Sequence, residues 1–191
     1  MTVRWVVQSR VITFLGLLAI WSAAVSACVV LAVRDPEQAL RHPAVTGSAA
    51  AMVGWMILAW AAMAVQRNDS ARQLWTLGLT ALFVHLGFAF GLAHGWSHAA
   101  AVEHVRAVGG YGEGIVVNYL FAVAWTVDVL WWWANPTSHA NRPRWVAIAT
   151  HGLLAFVVVN ATVVFGPDER RIAYGVALIV LVAAWWRPTS V

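Results

Sequence analysis

Apolar residues in this chain come in separate runs of about twenty, the length at which an α-helix rising 1.5 Å per residue crosses the ~30 Å hydrocarbon core of a bilayer. Five such runs are clear, at residues 11–33, 47–65, 74–96, 115–133 and 146–165. Transmembrane β-strands are about half as long and alternate in polarity, so the pattern specifies an all-α, polytopic helical membrane protein and not a barrel. A sixth run, 172–186, would reach only about 22 Å as a helix. It is read as a sixth crossing of one bundle; without it the count is five. Short loops between the runs make successive helices antiparallel neighbours and point to a single transmembrane domain over residues 1–191.

The charges fit this reading. Only 10% of residues are charged, against about a quarter in soluble proteins. All twelve basic residues are arginine; they sit in loops and form no stripe, so they orient the chain and do not bind nucleic acid. Six crossings with both termini inside a bacterial-type cytoplasmic membrane put seven arginines inside (4, 10, 67, 72, 142, 144, 187) and five outside (34, 41, 106, 170, 171). The chain carries thirteen tryptophans. Trp5, Trp75, Trp131, Trp132, Trp133, Trp145, Trp185 and Trp186 then fall at one interface as an aromatic belt, which argues that the last run crosses.

The stretch ending "AVSAC" at Cys28 resembles a bacterial lipobox. Hydrophobicity continues to Val33, however, so an ordinary first span is favoured over lipidation of Cys28. A single cysteine excludes an internal disulfide.

The third loop differs from the others. Residues 97–114 read as an outer cap: a helix, "SHAAAVEHVRAV", followed by "GGYGEG", whose glycines break it. The preceding span carries Gly87, Gly91, Gly95 and Ala99 at four-residue spacing, a stripe that lets another helix approach closely. Beside it lie Phe90, His94 and His98. On a continuous helix His94 and His98 point the same way, about 40° apart, an arrangement compatible with a metal. Two ligands do not make a site, and Glu103, His104 and Glu113 are the candidates to complete it. Glu103 stands about 180° from His94 on a straight helix and joins only if the chain bends near 95–97 or the loop folds back. Nitrogen and carboxylate ligands suit zinc, copper or iron. The competing reading is a set of solvated or helix-capping histidines. The HxxxH spacing resembles one histidine box of membrane di-iron hydroxylases and desaturases, but their further HxxHH-type boxes are missing and their activity is not carried over.

Inside the spans the ionisable groups are His85, Asp128 and His151. Buried ionisable groups in hydrocarbon need partners and are candidate functional sites. Asp128 and His151 share a depth and form the expected buried pair, read either as a proton-relay fragment or as a staple between helices. Asn118 and Asn160, both near outer span ends, are the expected interhelical hydrogen bond. His85, His94 and His151 also allow a bis-histidine haem, for which no pattern argues; a CxxCH attachment motif is absent. The chain has no phosphate loop, GxGxxG, GxSxG or HExxH. The leading expectation is an accessory or structural subunit of a larger membrane assembly, with the bilayer and partner subunits or further copies of itself as partners. A metal-dependent membrane oxidoreductase or hydrolase and a proton-coupled small-molecule carrier are the alternatives.

Overall fold

The computed structural model describes residues 2–36, 41–66, 68–166 and 168–185. Every regular element among them is helical: α1 (Thr2–Arg34), α2 (Pro43–Ala64), α3 (Asn68–Phe88), α4 (His98–Gly109), α5 (Ile115–Ala134), α6 (Pro136–Ala140), α7 (Arg144–Val159) and α8 (Asp168–Trp185). Five helical stretches are long and apolar enough to cross a membrane: Thr13–Arg34, Pro43–Ala64, Asp69–Ala93, Gly112–Ala134 and Arg144–Val164. The apolar part of α8, Arg171–Ala183, is shorter. The chain is thus all-helical and of a composition and length suited to an integral membrane protein.

Helix starts and stops follow local chemistry. Pro43 occupies the first turn of α2, where its missing N–H costs nothing, and the His42 Nδ1 accepts from the Ala44 N–H at 3.1 Å. The Ser97 hydroxyl caps α4 by accepting from Ala100 N–H, and Gly110, at φ 79°, ends it in the left-handed conformation that glycine adopts without strain. Asn135 caps α6 through its side-chain oxygen, which accepts from the Ser138 N–H at 2.9 Å, with Pro136 in the first turn. Two spans end in a turn of π-helix. α3 continues as Ala89–Ala93 and α7 as Asn160–Val164, each closed by a bond five residues back, His94 N–H to Ala89 O and Phe165 N–H to Asn160 O.

Close backbone packing groups the chain into two compact units, Met1–Trp96 and Ser97–Val191. In the first, α2 and α3 form a tight hairpin with α1 against it. Trp55, Met56, Ala59 and Trp60 of α2 and Ala71, Trp75 and Leu82 of α3 are buried, and the Trp60 and Trp75 rings lie 6.0 Å apart. Trp75 is therefore a core residue and not a member of an interfacial belt. The smaller alanines of α2 let the indoles interlock, which is the packing that holds helices together where the hydrophobic effect between them is absent. Cys28 lies inside the continuous α1 helix, buried, with its Sγ 3.3 Å from where a side chain on Gly47 would begin. In the second unit α5 packs on α7, with Phe121, Trp125, Leu154 and Val158 buried.

Candidate functional site

The end of the α5–α7 hairpin that carries α6 gathers four charged or titratable side chains, two of which, Asp128 and His139, are buried. Asp128, two turns before the end of α5, is 4% exposed. Its Oδ1 lies 3.1 Å from His139 Nε2 and 3.6 Å from Arg142 Nη1. Arg142 then reaches the other way and donates from Nη2 to His151 Nε2 at 3.1 Å. Nη1 also meets His139 Nε2 and donates to His139 O at 3.3 Å. His139 is seated by aromatics: its ring stacks parallel on Trp132, centroids 4.6 Å apart, and meets Trp131 edge-on. The Trp131 indole N–H donates to the Ser138 hydroxyl at 3.2 Å.

The local sequence explains this assembly. The Asn-Pro start signal folds 136–140 into one helical turn, which returns His139 over Trp132 and Asp128. Pro143 then ends the loop and starts α7 with Arg142 just outside. Electrostatically the carboxylate and guanidinium offset one another, and the imidazoles supply further polar contacts. Leaving a lone carboxylate in such a place would be costly, so the cluster is as complete as the buried aspartate requires.

The structure alters the expected Asp128–His151 pairing in a specific way. Both residues belong to one cluster, but the side chain that bonds His151 is Arg142, and the direct partners of Asp128 are His139 and Arg142. Neither His139 nor Arg142 stands out in the sequence, because both sit in what reads as a polar loop. The signal that could have found them is the Asn135-Pro136 helix start, which places His139 on a turn facing back along α5.

The other candidates go different ways. His85 donates from Nδ1 to Val45 O at 3.1 Å, with the Ser48 hydroxyl 3.3 Å away. Ser48 itself donates to the Ala44 carbonyl at 2.7 Å. His42, 2% exposed, spans a turn by donating from Nε2 to Asp35 O at 2.5 Å while its Nδ1 caps α2. The adjoining cleft, lined by Cys28, Ser48, Ala51 and Ala81 among others, measures about 10 Å³, room for one water at most.

The continuous helix assumed for His94 and His98 is broken between them. Gly95 and Trp96 have φ of 55° and 60°, so the stripe begun by Phe90 and His94, whose rings meet edge-on at 6.0 Å, ends at His94. His98 opens a new helix, and its Nδ1 lies in hydrogen-bond contact with the Tyr119 hydroxyl at 2.8 Å, the two rings stacked. Glu103 pairs with Arg106 at 2.5 Å on the surface of α4. His104 is half-buried on the same helix, and Glu113 is exposed in the turn before α5. Among the described residues no three histidine, cysteine, aspartate or glutamate side chains come together as a group able to hold a metal. No bond joins Asn118 to Asn160 among the described residues: the Asn160 amide donates to Phe156 O at 2.8 Å in its own helix, and Asn118 is exposed. The glycine stripe also divides. A side chain on Gly91 would meet the Trp96 indole at 3.3 Å, whereas Gly87 faces open space.

No family model matches the chain, and neither a curated protein nor a solved structure matches it.

Proposed function

We propose that this chain is an accessory or structural subunit of a larger membrane assembly, inserted with both termini on the cytoplasmic side and α8 as its sixth crossing. The observation that carries the reading is the division of labour between faces. Side chains such as Asp128, His139, Arg142 and His85 spend their bonds inside the protein, while whole helical faces stay apolar and open. Only 6% of the most apolar window of α1 is buried, against 44% for α2. Along α8, Ile172, Val176, Ile179 and Val180 are all more than half exposed. Such faces suit lipid on one side and partner helices on another.

The test is to extract the tagged chain with its native lipids, without an added histidine tag, and determine the mass and metal content of what comes out. A defined assembly of fixed stoichiometry, with partners or with further copies, is the expected outcome. A monomer that binds zinc, copper or iron stoichiometrically, and loses it on His94→Ala and His98→Ala, would replace this reading with the metal enzyme, with Glu103, His104 or Glu113 as further ligands. The buried Asp128 cluster favours a second reading, a proton-coupled carrier. In that case Asp128→Asn abolishes proton-driven uptake of a small molecule by reconstituted vesicles.

A further inference from the structure

We propose that the outward face of α7 holds one anionic phospholipid, with its phosphate on Arg144 and one acyl chain in the notch at Gly152. Such a site rests on α5 and α7 crossing the bilayer. Arg144, Ile148, Gly152 and Phe156 follow one another at four-residue spacing along α7, so they form a single ridge that drifts about 40° around the helix at each step. Ile148 is 70% and Phe156 58% exposed. Gly152 between them is exposed, and a side chain added there would meet nothing within 4 Å. The ridge therefore has a gap the size of a side chain, flanked by two large apolar groups. Leu154 and Val158, on the other side of the helix, are buried. From Arg144 to Phe156 the ridge rises about 18 Å, close to one leaflet's half of the ~30 Å hydrocarbon core.

The head of the ridge carries a positive charge that the protein does not neutralise. Between Asp128 and Asp168 the chain has no acidic residue. Asp128 is buried and spent on His139 and Arg142. Arg144, by contrast, is exposed and makes no hydrogen bond or ion pair with any described residue. Glu103, on α4, and Glu113, in the turn before α5, belong to the opposite end of α5. Helical side chains tilt toward the N-terminus, so Arg144 extends past the apolar run to the level at which headgroups lie. Trp145 beside it is 71% exposed, an amphipathic ring suited to that same level. A guanidinium pairs with phosphate oxygens through two parallel N–H groups, and an acyl chain below the phosphate fits the apolar ridge. A net-negative headgroup supplies the missing counter-charge, whereas a zwitterionic one brings a cation of its own.

Native mass spectrometry of the full chain, released from mixed micelles holding equal amounts of dioleoyl phosphatidylglycerol and dioleoyl phosphatidylcholine, reads the retained lipid by its mass. The wild-type chain is expected to keep the anionic lipid over the zwitterionic one by about fivefold, the ratio that one arginine near an anionic headgroup provides. Arg144→Gln should bring that ratio close to one. Arg106→Gln removes the same formal charge from α4 and should leave the ratio unchanged. Gly152→Leu fills the notch and should lower retention of both lipids with the preference intact. A ratio near one in the wild-type chain, or an equal loss in the Arg106 variant, overturns the proposal. A Gly152→Leu chain whose assembly mass changes while its lipid retention does not gives the face to a partner helix and overturns it as well. A chain that stays in solution without detergent and retains neither lipid removes the membrane reading along with the site.

Discussion

Residues 1–96 and 97–191 solve the same problem, polar side chains inside an apolar helical protein, by opposite means. In the first unit several of those side chains end on backbone carbonyls. His42 bonds Asp35 O, Ser48 bonds Ala44 O, His85 bonds Val45 O, and the Trp21 indole donates to Leu77 O at 3.0 Å. A carbonyl does not titrate or move independently of its helix, so these bonds are fixed struts. In the second unit Asp128, His139, Arg142 and His151 end on one another, and each bond depends on a charge or a tautomer. The first arrangement ties side chains to the helix backbone; the second ties side chains of α5, the 135–143 loop and α7 to one another.

Asp128 provides the severest test of that contrast. Replacing it by alanine leaves Arg142 and two imidazoles without their counter-charge, and removing one partner of a buried pair costs on the order of 3–5 kcal/mol. Asp128→Ala is expected to lower the unfolding midpoint of the detergent-solubilised chain accordingly, with Asp128→Asn milder because the amide oxygen still accepts. A loss below about 1 kcal/mol for the alanine variant, the range of exposed ion pairs, would mean that the cluster is solvated and that the two units do not differ in kind.

The π-helical span ends sharpen the comparison at the next magnitude. A side chain on Gly166 would lie 2.1 Å from the Thr162 carbonyl oxygen, a backbone atom that cannot yield without reopening the π turn. Gly166→Ala is expected to cost about 1–3 kcal/mol, the range of overpacking. In the other unit the corresponding span end uses Gly95 at φ 55°, where alanine meets conformational strain of about 1 kcal/mol. Equal losses in thermal unfolding would show that the two span ends are held in the same way.

How far these features are legible in sequence depends on whether period or geometry sets them. The five long spans follow from apolar run length alone, and their ends agree with the expected ones within a few residues. The start of α4 at Ser97–His98 and its end at Gly110 are likewise written in capping chemistry. The break at Gly95–Trp96 is not, because the local periodicity runs through it and the left-handed backbone of Gly95 and Trp96 interrupts it. The glycine stripe is visible, but not that the chain's own Trp96 covers Gly91. Asp128 stands out as a carboxylate in an apolar run. Its partners do not, because His139 and Arg142 reach it through a one-turn helix inside a loop whose fold depends on the aromatic seat beneath it.

His85 marks the smaller end of the scale. Its ring donates to one carbonyl, and Ser48 keeps its own bond to Ala44 without it. Hydrogen bonds of this kind between membrane helices average about 0.6 kcal/mol, so His85→Leu is expected to cost about that much in thermal unfolding. A loss several times larger would make His85 as consequential as the Asp128 cluster and erase the distinction between the units.

Gly87 gives the smallest effect in isolation and the most informative one in context. It faces open space, with nothing within 4 Å of an added side chain, and it is exposed on α3. Gly87→Leu in the purified chain is expected to change stability by no more than about 0.5 kcal/mol, as for surface substitutions free of special features. In native membranes the outcome separates two uses of the same face. If another helix approaches there, the leucine holds the backbones apart and the assembly weakens while the isolated chain does not. If lipid alone covers it, neither changes. Native mass of the extracted assembly, compared with unfolding of the purified chain, reads the two apart, and loss of the first without the second is the result expected of a subunit.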